Sequence, residues 1–122
     1  MTETASGGLA IDTASLSPLH WVAFGLAAIT GVLHLWLGVQ FVTSPVGISF
    51  LLAGIGFFVG AALVAVDYRR RLVYAVGIPF TAVQIVAWYL VNAPDFSPLG
   101  YLDKAVQVVF VVVLVVLYRR EG

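Results

Sequence analysis

The chain has 122 residues, with six basic and six acidic side chains, no cysteine, and a mean hydropathy of +1.05. Charged residues make up 10% of it, against about 25% in ordinary soluble domains, and a net charge of zero argues against a nucleic-acid partner. The lack of cysteine excludes disulfide frameworks, thiol redox chemistry and thiolate metal ligands. We therefore expect one all-α domain, a four-helix transmembrane bundle that crosses a cell membrane several times.

Short polar stretches separate the apolar segments and predict where the helices begin. Residues 1–17 are rich in Thr, Ser, Gly and Ala, and they are predicted to form a disordered tail before a transmembrane domain at 18–122. A Ser-Pro pair precedes three of the apolar segments, at Ser17, Ser44 and Ser97, and serine followed by proline is a favoured helix start. The four helices are predicted at about 18–42, 45–67, 71–92 and 98–119. Each is near or above the ~20 residues that a ~30 Å hydrocarbon core requires.

The first helix has one face of small and polar side chains. Steps of three and four residues place Ala23, Ala27, Thr30, Gly31, His34 and Gly38 on this face. The opposite side carries Val22, Leu26, Ile29, Leu33 and Leu37. In a membrane such a helix is expected to pack through its small face and to turn its aliphatic face to lipid.

Small residues and a proline mark the second and third helices. Ser49, Ala53, Gly56 and Gly60 share one face, and Gly56-x-x-x-Gly60 matches the close-approach motif of membrane helices, which serves packing within the bundle or a dimer seam. The glycines predicted to lie at helix contacts are Gly31, Gly38, Gly56, Gly60 and Gly77. Pro79 lies inside the third helix and is expected to bend it, freeing one carbonyl that Thr81 or a neighbouring helix could satisfy.

The last segment contains the run VVFVVVLVV, which would suggest a strand in water. In hydrocarbon a lone strand leaves its backbone unpaired, so a helix is predicted. With four crossings, one side of the membrane holds five basic residues: Arg69, Arg70, Arg71, Arg119 and Arg120. The other side holds Lys104 alone, so the positive-inside rule predicts that both termini are cytoplasmic. The arginines are also candidates for contact with anionic lipid head groups.

Three polar side chains lie at a similar depth in the predicted bundle. His34, Gln84 and Gln107 are expected to form a cluster, with Thr30 and Thr81 one turn deeper. Asp103 is expected one turn above the cluster. Two interpretations stay open: hydrogen bonds that only hold helices together, or a small polar, ionic or proton-responsive site.

The sequence shows no set of residues that could carry out catalysis. The two histidines, His20 and His34, lie on one helix, so bis-histidine haem is not expected, and only Asp103 could join His34 as a metal ligand. His20 is expected to be an ordinary interfacial side chain. No set of nucleophile, base and orienting group is visible, so no enzyme activity, metal or cofactor is predicted.

Three segments resemble a known group of proteins: GVLHLWLGVQF, VDYRRRLVYAVGIPFTAVQIVAWY and PDFSPLGYLDKAVQVV. Over about residues 18–121 the chain is similar to uncharacterised small four-span membrane proteins of haloarchaea. The resemblance implies a class and a source but no activity. We expect a non-catalytic integral membrane protein that packs with membrane lipid, with further copies of itself or with a partner subunit. The alternative is a small-solute or ion pathway through the polar cluster.

Overall fold

The computed structural model describes residues 11–121. Its helices are a 3₁₀ turn at Thr13–Ser15, α1 at Pro18–Gln40, α2 at Pro45–Ala65, α3 at Arg70–Asn92 and α4 at Pro98–Glu121. Each of the four α-helices is long and apolar enough to cross a membrane. The prediction of an all-helical fold with four such helices is confirmed, including the valine-rich segment in α4.

Serine caps begin three of the helices as predicted. The Oγ atoms of Ser44 and Ser97 accept the backbone N–H three positions further on, at 3.2 and 2.9 Å. Ser17 is the N-cap of α1 as well, in a capping box in which its N–H donates to Nδ1 of His20 at 2.9 Å. His20 is therefore a buried capping residue, and the expectation of an ordinary interfacial side chain is wrong.

The end of α2 gathers several hydrogen bonds because its last carbonyls have no partner within the helix. Arg70, the first residue of α3, donates from Nε to the carbonyl of Val64 at 2.8 Å. The N–H of Asp12 donates to the carbonyl of Ala65 at 2.9 Å. Residues 11–17, which the sequence assigned to a disordered tail, thus form a short turn bonded to α2, and residues 1–10 lie outside the described part.

The helices run up and down in turn, and three neighbouring pairs carry most of their contacts: α1–α2, α3–α4 and α1–α4. The contact between α2 and α3 is much smaller. One end of the bundle, here called the two-loop end, carries the α1–α2 and α3–α4 connections. The other, the termini end, carries residues 11–17, the α2–α3 connection and the end of α4.

The packing face of α1 agrees with its prediction. The buried residues of α1 are His20, Ala23, Ala27, Thr30, Gly31, His34 and Gly38. On the other side Val22 and Ile29 are exposed, while Leu26, Leu33 and Leu37 are half-buried at the flanks.

The outer surface of the bundle is aliphatic. Leu90 and Val91 on α3 are 73% and 79% exposed, and valines of α4 such as Val112 are also exposed. Contiguous apolar surface of this kind is unusual on a soluble monomer, whereas lipid-facing helices require it. The buried interior instead holds Thr30, Thr81 and Gln107, each with no exposed surface.

Candidate functional site

Thr30 is the centre of a buried hydrogen-bond network between α1 and α4. Its hydroxyl donates to Oδ1 of Asp103 at 2.6 Å and accepts from Nε2 of Gln107 at 3.1 Å. The helical rise brings these two α4 residues, which are four positions apart, onto the face that meets α1. A single hydroxyl thus bonds two side chains of the facing helix.

An ion pair extends this network toward the two-loop end. Lys104 Nζ donates to Asp103 Oδ2 at 2.6 Å, and both side chains are about nine-tenths buried. From the sequence alone, Lys104 is only a charge outside the membrane, and Asp103 is expected one turn above the cluster. The structure instead bonds Asp103 directly to Thr30, and its adjacent cation offsets the cost of burying the carboxylate.

On the other side the network reaches α3. Gln107 Nε2 donates to Gln84 Oε1 at 3.1 Å, and Gln84 Nε2 donates to the carbonyl of Phe80 at 3.0 Å. We call the connected residues the polar chain. Its members, in order, are Lys104, Asp103, Thr30, Gln107 and Gln84. It joins three helices, and Gln107 Oε1 is a buried atom of it without a hydrogen-bond partner in the described part of the protein.

His34 lies beside the polar chain and is bonded mainly within its own helix. Its Nδ1 is 2.8 Å from the carbonyl oxygen of Thr30, which can only accept, so this nitrogen carries the proton in that bond. The same nitrogen is 4.0 Å from Asp103 Oδ1. The ring packs against Phe50 and Phe57 of α2 at 5.3 and 5.7 Å between centroids. His34 therefore contacts the network through Thr30, with no direct bond to either glutamine.

Thr81 is equally buried but stands apart from the polar chain. Its Oγ1 has no hydrogen-bond partner among the described residues, although its side chain has no exposed surface. α3 continues through Pro79 without a break. Of the two candidates for the carbonyl freed by Pro79, the Thr81 hydroxyl does not bond it, and a neighbouring helix stays a prediction.

A second group of polar side chains, not foreseen from the sequence, lies inside the termini end. His20 of α1 and Arg70 and Tyr74 of α3 are all at most 5% exposed. Glu121 of α4 approaches His20 with 3.7 Å between Oε2 and Nε2. Arg70 was predicted to contact lipid head groups, but this is wrong, because its guanidinium is turned inward to cap α2 and to approach Asp67 at 3.4 Å.

The other four arginines of this end are exposed and remain candidates for such contacts. They are Arg69, Arg71, Arg119 and Arg120. Arg71 lies over the ring of Tyr118 of α4, 4.6 Å from its centroid, and Arg69 lies 5.5 Å from the ring of Tyr68. Both distances are measured from the guanidinium carbon, so the charged groups themselves lie over aromatic rings as cation–π contacts.

Glycines let α1 and α2 approach closely, partly as predicted. A Cβ added to Gly31 would lie 2.7 Å from the ring of Phe58, and one added to Gly38 would lie 2.9 Å from the carbonyl oxygen of Gly47. The sequence analysis missed Gly54, where a Cβ would lie 3.0 Å from the carbonyl oxygen of Gly31. The closest backbone approach of α2 is therefore through Gly47 and Gly54.

The predicted close-approach motif of α2 faces elsewhere. A Cβ at Gly56 would meet the Phe80 ring of α3 at 2.7 Å, but a Cβ at Gly60 would meet only Val73, at an ordinary 3.9 Å. Gly60 is therefore not at a tight helix contact, which corrects its prediction. Gly77 does pack closely, since a Cβ there would lie 3.1 Å from Leu114 of α4.

Gly60 instead borders an apolar groove between α2 and α3. The groove has a volume of about 340 Å³. Its walls include Gly56, Gly60 and Val64 of α2 and Val73, Val76 and Phe80 of α3. A second depression along the same seam, of about 570 Å³, reaches Gln84. Neither is lined by His34, Thr30 or Gln107, so most of the polar chain is closed off from both.

Residues 11–121 contain no set of side chains that could hold a metal ion. No group of three or more His, Asp or Glu side chains there is placed to hold an ion. The only carboxylate near His34, that of Asp103, is already bonded to Thr30 and Lys104.

The comparisons with known proteins give a family but no activity. A family model described as a family of unknown function (DUF7475) matches residues 5–118, so the chain belongs to that family. Neither the curated proteins nor the solved structures gave a match. The match agrees with the resemblance to uncharacterised proteins, and the haloarchaeal source stays a prediction.

Proposed function

We propose that this member of the family is a non-catalytic multi-pass membrane protein that packs with lipid or with a partner subunit. The observation that carries the proposal is how its polar and apolar groups are arranged. Thr30, Asp103, Lys104, Gln84 and Gln107 bond to one another inside the bundle. The groove between α2 and α3 reaches inward as far as Ala27 of α1 and Leu114 of α4, and its walls are almost entirely apolar.

The bonds of the polar chain support a role in holding helices together. In lipid, helices gain little from apolar contact alone, because lipid tails are as apolar as the side chains they replace. Hydrogen bonds from α1 to α4 and from α4 to α3 then fix which helices are neighbours. α2 is attached differently, through the close packing at Gly31, Gly38 and Gly54.

We further propose that both termini are cytoplasmic. The termini end carries the exposed arginines, whereas the only basic side chain at the two-loop end, Lys104, is neutralised by Asp103. Because the chain has no cysteine, single-cysteine variants report orientation directly. On intact cells a membrane-impermeant maleimide is expected to label Thr43→Cys, in the α1–α2 connection. Tyr68→Cys, in the α2–α3 connection, should react only after lysis, and the reverse pattern would contradict the orientation.

A pathway for a small solute or ion is the second candidate function. It is favoured by the ion pair of Asp103 and Lys104 inside a candidate membrane helix and by the unpartnered Oε1 of Gln107. Purified protein in liposomes loaded with a pH-sensitive or ion-sensitive dye distinguishes the two. The leading proposal expects no flux above that of protein-free liposomes. Flux through the unaltered protein that Asp103→Asn abolishes would contradict the leading proposal and support the small-solute or ion pathway.

A further inference from the structure

The packing of the bundle leaves the apolar groove between α2 and α3 unexplained. We infer that it holds one hydrocarbon chain of an anionic phospholipid, whose head group lies at Arg69 and Arg71. This inference rests on the membrane location proposed above. It assigns the lipid contact to one seam of the bundle and to one class of lipid.

The size of the groove favours a hydrocarbon chain over a helix of a second copy. An α-helix with its side chains is about 10–12 Å wide, and α2 and α3 approach too closely to admit one, since a Cβ at Gly56 would lie 2.7 Å from the Phe80 ring. A helix could at most lay side chains over the opening. A single acyl chain is narrow enough to enter between α2 and α3.

The apolar walls fit a hydrocarbon chain along the length of the groove. On α2 they include Gly56, Gly60 and Val64, and on α3 Val73, Val76 and Phe80. At Gly60 the missing side chain leaves room, because a Cβ there would meet only Val73, at 3.9 Å. The groove is therefore wide where α2 carries hydrogen in place of a side chain.

The charges near the α2–α3 connection indicate where the lipid head group would lie. Two residues of the groove wall, Leu72 and Val73, directly follow Arg71 in α3, so the groove opens within a turn of this exposed arginine, whose guanidinium lies over the Tyr118 ring of α4. Asp67 is the one acidic side chain of the α2–α3 connection, and it faces the buried Arg70 at 3.4 Å. Asp12 also lies at this mouth, since its N–H donates to the carbonyl of Ala65. The three arginines at 69–71 outnumber Asp12 and Asp67, so the net charge at this mouth is positive, which suits a phosphate that carries a net negative charge.

Native mass spectrometry of the full chain, released from mild detergent, tests this. The probes are phosphatidylglycerol and phosphatidylcholine with the same acyl chains, supplied in equal amounts. We expect a one-to-one complex enriched in phosphatidylglycerol. Gly60→Leu fills the groove from α2 without a clash at Cβ and should abolish the complex, and Val76→Trp, which fills it from α3, should do the same. Gly25→Leu is the matched control, because a Cβ at Gly25 meets nothing within 4 Å.

The variant Arg71→Gln tests the contribution of the lipid head group separately from that of the acyl chain. One arginine near a membrane surface changes the preference for anionic lipid by about fivefold. We therefore expect the preference for phosphatidylglycerol to fall about fivefold in Arg71→Gln and less in Arg119→Gln on α4. Equal effects of the two variants would overturn the placement of the head group.

Two results would contradict the inference that a lipid chain occupies the groove. The first is equal lipid retention by the unaltered protein, Gly60→Leu and Gly25→Leu. The second is a dimer of the unaltered protein that Gly60→Leu and Val76→Trp convert to a monomer, since a second copy would then cover the groove. Either result leaves the proposed function standing, because cysteine labelling and the flux assay test that separately.

Discussion

Thr30 and Thr81 form a matched pair for measuring what the polar chain contributes to stability. Neither side chain has exposed surface. The hydroxyl of Thr30 bonds to Asp103 and Gln107 on α4, whereas the hydroxyl of Thr81 has no partner among the described residues. Valine has a similar shape without the hydroxyl, so each substitution mainly removes one polar group.

The two substitutions should change the free energy of unfolding in different directions. Interhelical hydrogen bonds in membranes contribute ~0.6 kcal/mol on average and up to ~1.7 kcal/mol. A bond to a charged group contributes about 1.5–3 kcal/mol. Thr30→Val loses one of each, so the free energy of unfolding should fall by about 2–5 kcal/mol. Thr81→Val removes a hydroxyl buried without compensation, so its free energy of unfolding should stay the same or rise by about 1 kcal/mol.

Unfolding by dodecyl sulfate in mixed micelles, followed by tryptophan fluorescence, measures both variants under one condition. Far-UV circular dichroism before titration checks that each variant starts with the same helix content. Equal destabilisation by the two variants, or a larger loss for Thr81→Val, would mean that the bonds of Thr30 do not hold α1 to α4.

Three further predictions use the same unfolding assay. Lys104→Met leaves the buried carboxylate of Asp103 without its cation and should lower the free energy of unfolding by about 3–5 kcal/mol. The double variant with Asp103→Asn should restore most of this loss. An unchanged unfolding midpoint for the single variant would refute the prediction. Gly54→Val brings a Cβ within 3.0 Å of an α1 carbonyl and should cost about 1–3 kcal/mol, whereas Gly25→Ala, in open space, should gain about 0.5–1 kcal/mol. Arg70→Met removes the donor that caps α2 and should cost about 1–3 kcal/mol, while no loss would show that water replaces the cap.

The packing face of α1 was predictable from the sequence because one local rule decides it. Small and polar residues recur at steps of three and four, and a helix in lipid packs through such a face. The same rule brought Thr30 and His34 to the interior. It did not show that Thr30 is the centre of the network, because this depends on which residues of α4 face it.

The buried charges were missed for a different reason. Sequence rules treat Lys and Arg near helix ends as surface groups, so Lys104 and Arg70 were counted as markers of orientation. Each is buried because a specific acceptor lies within reach: the carboxylate of Asp103 for one and the carbonyl of Val64 for the other. An acid directly beside Lys104 was visible in the sequence, but a free carbonyl at the end of α2 was not.

The glycine contacts show how a motif can be present and yet face the wrong neighbour. Gly56-x-x-x-Gly60 is the recognisable pattern, but α2 meets α1 through Gly47 and Gly54. Those two glycines are separated by two helical turns, and Gly31 and Gly38 of α1 have the same separation. Matching periods on consecutive helices was therefore the signal that could have identified the seam.

The attachments of α2 explain why the groove lies where it does. Side-chain hydrogen bonds join α1 to α4 and α4 to α3 within the described residues, but α2 has only the bond from Arg70 to Val64, at the termini end. Beyond that point α2 meets α3 chiefly where Gly56 faces Phe80. Because apolar contact alone gives little preference for protein over lipid in a membrane, a lipid chain can separate α2 from α3 without breaking a hydrogen bond. The α1–α2 seam also lacks side-chain hydrogen bonds, but it is closed by glycine packing. The seam that combines few polar bonds with little helix contact is thus the one that a lipid can enter.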